Sequence, residues 1–157
     1  MREAVKKGFS FGLTSGVITT LGLMVGLEAS TESRLAVLGG ILAIAVADAF
    51  SDALGMHVSE EATRHSAKSV WQSTFATFFA KFFFAMTFAV PMLLFSLTTA
   101  VIVNIAWGLL LITVYSIHLA RQEKIKPWKV VFEHAGIAVL VVIATHYLGR
   151  FISVYLG

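Results

Sequence analysis

Long apolar stretches, separated by short clusters of charge, set the pattern of this chain. Stretches poor in charge run over about 9–27, 35–56, 71–95, 97–119 and 130–150. A helix of about 20 apolar residues spans a bilayer. The pattern therefore predicts an all-α polytopic membrane protein, with five transmembrane helices forming one transmembrane domain over 1–157. The third and fourth stretches are separated only by the uncharged run from Pro91 to Thr99. Their combined length of about 49 residues, with the helix-breaking Pro91, predicts a tight re-entry rather than one long helix. The first span carries Gly8, Gly12 and Gly16 at four-residue spacing, then Gly22 and Gly26. Small residues so spaced let helix backbones approach closely in lipid. The basic start MREAVKKGFSFGL is like that of a signal peptide, but a long segment without a small-residue cleavage site follows. It is expected to remain as the first span.

Composition narrows the function classes. Of 157 residues, 57% are hydrophobic and 13% charged, with a mean hydropathy of +0.83. Soluble domains carry about 25% charged residues, so a cytosolic enzyme or a disordered tail is excluded. The net charge of +3 comes from too few basic groups for a phosphate-tracking face, and no nucleic acid is expected as partner. Without cysteine there is no disulfide framework, thiolate metal site or cysteine nucleophile. With five spans, Arg2, Lys6, Lys7, Arg64, Lys68, Arg121, Lys124, Lys126 and Lys129 fall on one side of the membrane. Arg34 and Arg150 fall on the other, and Lys81 lies inside a span. By the positive-inside rule the N-terminus is expected in the cytoplasm and the C-terminus outside.

Chemistry concentrates in the second span. Asp48, Ser51, Asp52, Gly55, Met56 and Ser59 fall at i, i+3, i+4, i+7, i+8 and i+11, one helical face. An acidic residue at a helix centre costs roughly 2.5–3.5 kcal/mol to insert, and two of them one turn apart add repulsion. They are tolerated when they face a watery cavity, a cation, a proton or a basic partner. In the third span Thr74, Thr77 and Lys81 make a second polar stripe. Counted inward from the expected span ends, Asp48 and Lys81 lie at matching depth. Left unpaired, the two acids and the lysine would cost roughly 8–10 kcal/mol together, so Lys81 is expected to face the second helix within reach of Asp48. The alternative is that Lys81 snorkels to the interface.

The connection HVSEEATRHSAKSVW offers His57, Glu60, Glu61 and His65. On a continuing helix, His57–Glu61 and Glu61–His65 are i, i+4 pairs able to hold a divalent cation. Oxygen and imidazole ligands suit Fe(II), Mn(II), Co(II) or Zn(II) better than Cu(I). A solvated loop with Glu60–Arg64 and Glu61–Lys68 pairs is the plainer reading. Asn104 is expected to hydrogen-bond to another helix, and the run Phe78, Phe79, Phe82, Phe83 and Phe84 to face lipid. No nucleophile elbow, phosphate loop or metalloprotease helix is present, so no enzyme is expected.

Two segments, FGLTSGVITTLGLMVGL (11–27) and AVADAFSDALGMHVSEEA (45–62), together resemble the first two helices of the vacuolar iron transporter family. That family has a glycine-rich first helix and a second helix of the form A-G-x-x-S-M-x-x-G-E-x-x-S. The matching positions here are Ala47, Asp48, Ser51, Asp52, Gly55, Met56 and Ser59. FAVPMLL (88–94) and ATHYLGRFI (144–152) look like its third-helix proline motif and its final helix. The resemblance implies five spans, a homodimer with the ion path near the two-fold axis, and proton-coupled export of cytosolic Fe2+ or Mn2+. It places Ser15 where the family has a first-helix aspartate, Asp52 at the methionine position, Met56 at the glutamate position and Asp48 at a glycine. The acidic cytoplasmic region of plant members shrinks here to about a dozen residues.

The expectation is thus a proton-coupled divalent-cation transporter in a prokaryotic plasma membrane, or in a vacuole-like organelle of a eukaryote. Its path would run by Asp48, Asp52, Ser51, Met56, Ser15 and Lys81. Asp48, Asp52, Met56, His57, Glu60 and Glu61 would be the metal ligands, with no permanent cofactor. The alternative is a non-transporting membrane module whose Asp–Lys network fixes helix packing or assembly with a partner.

Overall fold

The computed structural model describes residues 2–156; Met1, Gly157 and the Arg2 side chain lie outside that description. The chain is all-α, with helices α1 (Arg2–Thr31), α2 (Arg34–Ala62), α3 (Ala67–Thr87), α4 (Ala89–Leu94), α5 (Leu97–Gln122) and α6 (Pro127–Tyr155). Among the described residues, five helical segments are long and apolar enough to cross a membrane, with α3 and α4 forming one of them, Ala67–Leu94.

The helices outrun the apolar stretches. The second span, expected over 35–56, continues as helix to Ala62, because HVSEEA contains no glycine or proline and is rich in helix formers. His57, Glu60 and Glu61 are therefore helical rather than part of a connection. Arg64 ends the helix in the left-handed region at φ 59°. The Arg64 N–H bonds to the Glu61 carbonyl and the His65 N–H to that of Glu60, the pairing of a Schellman cap. Ser66 then caps α3 by accepting from the Ser69 N–H.

The re-entry falls where expected, but Pro91 does not make it. Phe95 and Ser96 form the turn between α4 and α5. Pro91 instead accompanies a break at Phe88, since it cannot supply the N–H that would continue the α3 ladder.

Two compact units group the helices: Met1–Thr20 with Ile41–Ala89, and Leu21–Gly40 with Val90–Gly157. In the first, the glycine stripe of α1 lies on the α3 backbone. A Cβ at Gly8 would stand 2.2 Å from the Ser73 carbonyl oxygen, and one at Gly12 2.5 Å from that of Thr77. Only hydrogen fits there. The Thr77 hydroxyl donates to the Gly8 carbonyl at 3.2 Å, tying the two helices across the groove. α2 buries Ile41, Ala45, Ala49, Ala53, Met56 and Glu60 along one edge. Trp71, Phe75, Phe79 and Phe83 stack along α3 at four-residue steps and remain about half exposed. Of the run expected to face lipid, only Phe79 and Phe83 belong to this surface. Phe78, Phe82 and Phe84 are half-buried, Phe78 against Phe50 and Phe84 against Phe9.

In the second unit, a Cβ at Gly149 of α6 would meet the Gly26 carbonyl oxygen at 2.4 Å. Asn104 donates to Met24 Sδ at 3.3 Å, the inter-helix bond expected of it. The Arg34 guanidinium covers the Met92 carbonyl, with Nε at 2.7 Å, satisfying a backbone group that the end of α4 leaves open. His134 meets the buried hydroxyl of Ser116 at 3.0 Å.

Candidate functional site: an Asp–Lys–Asp cluster at mid-helix

Asp48 stands at the midpoint of the 29-residue α2, and Asp52 lies one turn on. A helix of that length runs about 43 Å at about 1.5 Å per residue, beyond the ~30 Å hydrocarbon core. The carboxylates therefore lie far from both helix ends. Asp52, which the shorter apolar stretch places close to a span end, is ten residues inside α2. Lys81 holds the corresponding central place in the segment Ala67–Leu94.

Lys81 reaches both acids. Its Nζ lies 2.5 Å from Asp48 Oδ2, pairs with Asp52 Oδ2, and donates to the Ser15 hydroxyl at 2.9 Å. Ser15 in turn donates to Asp52 Oδ2 at 2.6 Å. Asp48 Oδ2 sits off the line of a directed hydrogen bond, so its contact with the ammonium is ionic, and Asp52 is the more firmly held acid. The Lys81 side chain is 1% exposed, against 26% for Asp48 and 19% for Asp52. The snorkelling alternative is overturned: the stem is enclosed, and two carboxylates hold its end. Gly16 makes this possible, because a Cβ there would come within 3.2 Å of Lys81 Cα and Cγ.

Charges balance only in part. Two carboxylates and one ammonium sum to a single negative charge, and the outer faces of both acids remain partly open. Neither acid has another ionic partner among the described residues.

Towards the α2–α3 turn lie two further polar groups. His57 Nδ1 meets the Thr74 hydroxyl at 3.0 Å, and its Nε2 lies 3.4 Å from Glu61. The i, i+4 pairing of His57 with Glu61 is thus formed. That of Glu61 with His65 is not, because the helix ends before His65. Glu60, expected at a cytoplasmic mouth, is buried instead. It pairs with Lys7 of α1 and lies 3.3 Å from His65 Nδ1, replacing the Glu60–Arg64 pair of the plainer loop reading. The Lys7–Glu60 and Ser15–Asp52 contacts are eight residues apart on each helix, the register of an antiparallel pair.

The six expected metal ligands are spread along the bundle. Asp48 and Asp52 share the Lys81 cluster, Met56 is buried, His57 pairs with Glu61, and Glu60 pairs apart from both with Lys7 and His65. Among the described residues, no three His, Asp or Glu side chains are grouped to hold one metal ion. A cleft of about 360 Å³ opens beside His57 and Thr74, but its other lining residues are apolar and neither aspartate lines it. Ser51 is exposed on α2, next to the acids rather than bonded to them.

Sequence reasoning missed the burial of Glu60. Its signal was the row Asp48, Asp52, Met56 and Glu60, four residues apart on one face. The chain matches no known protein-family profile, no curated protein and no solved structure.

Proposed function

We propose that this chain moves divalent cations, Fe2+ or Mn2+, across a membrane in exchange for protons, with Asp48 and Asp52 as the carboxylates that take up the ion. One observation carries the reading. Two acids at mid-helix share a single buried ammonium, so the cluster keeps a net negative charge with carboxylate faces partly open. An intramembrane acid whose charge is not fully balanced is costly, and such residues mark ion and proton paths. A divalent ion on both carboxylates would neutralise them, and protons compete for the same oxygens. The likeness of the first two helices to vacuolar iron transporters supports the same ion class. The excess of basic residues around Lys6, Arg64 and Lys124 supports a cytoplasmic N-terminus, and export from the cytosol is the direction that the resemblance implies.

The reading sets a condition on Lys81. A divalent ion about 4 Å from a retained ammonium is repelled by about 8 kcal/mol at an effective dielectric constant near 20. The ion and the ammonium do not share the carboxylates as they stand.

A homodimer fits the outer face of α2. Ala43, Ala47, Ser51, Gly55 and Ser59 run four residues apart, all exposed, beside the acids. Small residues in such a row admit a second helix at close range. A Cβ at Gly55 meets nothing within 4 Å of its own chain. Gly55→Leu is therefore expected to leave the protomer folded and to shift the protein to monomer in sedimentation at fixed detergent concentration. An unchanged oligomer would remove α2 from the interface.

A second reading is a static packing module. The observation favouring it is the enclosure of Lys81 by three oxygens, with the His57 cleft not lined by either acid. Proteoliposomes decide between them. Fe2+ or Mn2+ uptake driven by a pH gradient is expected for the wild-type chain, falling at least tenfold in Asp48→Ala and in Asp52→Ala. Absence of flux, or flux indifferent to both substitutions, supports the module.

A further inference from the structure

We propose that the Lys81 ammonium is a tethered substitute cation: it occupies the ion cage when no ion is bound, and the transported ion has to displace it. The proposal rests on the transport reading and assigns Lys81 a role within it.

The geometry is that of an occupied cation site. Three oxygens from two helices converge on Nζ: Asp48 Oδ2, Asp52 Oδ2 and Ser15 Oγ. Ser15 has its own proton committed to Asp52, so it turns a lone pair towards the ammonium and acts as a neutral oxygen ligand. The stem reaches the cage through the space left by Gly16. No other charged side chain from α1, α2 or α3 pairs with this cluster among the described residues. The cage thus contains a positive charge that belongs to the protein itself.

A cation on a tether differs from one in solution. Its effective concentration at the cage is set by the chain and does not vary with the medium. An incoming ion wins only if its attraction for two carboxylates exceeds that of a single ammonium, which favours divalent over monovalent ions. The substitute also suits the empty carrier. With Lys81 in the cage a single exchanged proton neutralises the returning site, where two would be needed without it, and charge in the bilayer interior is what makes such a step slow. Lys81 is in this sense a positioning residue for the return of the unloaded protein.

A purely structural lysine and a substitute cation differ under substitution. Lys81→Met in nanodiscs is expected to bind Mn2+ at least tenfold more tightly than wild type. In proteoliposomes it is expected to keep Mn2+/Mn2+ exchange while losing at least tenfold in net uptake, because only net uptake needs the return without Mn2+. Lys81→Gln, which keeps an N–H donor at the end of the side chain, is measured alongside in case the methionine variant does not fold, and the same tightening is expected. An Mn2+ affinity unchanged or weakened in a folded variant overturns the proposal, as does a parallel loss of exchange and net uptake. A wild-type protein that transports Mn2+ while its Lys81 variants bind no tighter sinks this inference alone. A wild type that neither binds nor moves Mn2+ sinks the transport reading with it.

Discussion

Lys81→Met is expected to lower stability by about 3–5 kcal/mol, while the triple change Asp48→Asn, Asp52→Asn, Lys81→Met leaves it close to wild type. Removing one partner of a buried ionic group strands the others, and the penalty comes from the uncompensated charge rather than from the lost contact. Here the stranded groups are two carboxylates one turn apart, each less than a third exposed. The triple variant removes the repulsion and the desolvation together. It keeps side chains of nearly the same shape, including the straight stem that fills the space beside Gly16. Equilibrium unfolding in lipid bicelles measures both. A triple variant as unstable as the single one would mean that the fit of the lysine stem, not charge, holds α3 in place. The same preparation bears on function, since a stable triple variant without flux places the charges in transport.

Gly12→Ala is expected to be almost as damaging although it adds one methyl group. The new carbon would stand 2.5 Å from the Thr77 carbonyl oxygen and 3.0 Å from the Lys81 amide nitrogen. Both neighbours are backbone, so the helices have to separate, and overpacking of this kind costs about 1–3 kcal/mol or more. Gly136→Ala is the internal control. Nothing lies within 4 Å of its new methyl, and a gain of up to about 1 kcal/mol in helix propensity is expected. Melting temperatures in detergent should move in opposite directions. Equal shifts at the two sites would discount close α1–α3 approach as the source of stability. Because the displaced backbone includes Lys81, Gly12→Ala should also reduce flux.

Much of this architecture can be read from residue spacing. Four-residue glycine spacing marks the groove that α1 presents to α3, and the matched depth of Asp48 and Lys81 marks their pairing. Both follow from costs that the membrane makes large. Helix ends are harder to read. Hydropathy reports where polar side chains begin, whereas the backbone hydrogen bonds of α2 continue six residues past the apolar stretch, to a left-handed Arg64. That displacement put Glu60 in a loop in the sequence reading, when it lies on the same row as the two aspartates. The two bonds of the Ser15 hydroxyl, donated to Asp52 and accepted from Lys81, are set by side-chain rotamers across α1, α2 and α3, on which spacing carries no information.

The unbalanced charge at mid-helix also has an electrical consequence. A unit charge moved across a whole membrane at 100 mV changes energy by about 2.3 kcal/mol, so one held near the middle couples to about half of that. An Asp48–Asp52–Lys81 group with one net negative charge therefore feels about 1 kcal/mol per 100 mV. A divalent cation reaching it from one side carries two charges through half of the field, about 2.3 kcal/mol per 100 mV, which changes its occupancy by roughly fiftyfold. On the transport proposal, membrane voltage as well as ion concentration sets how often the site is filled.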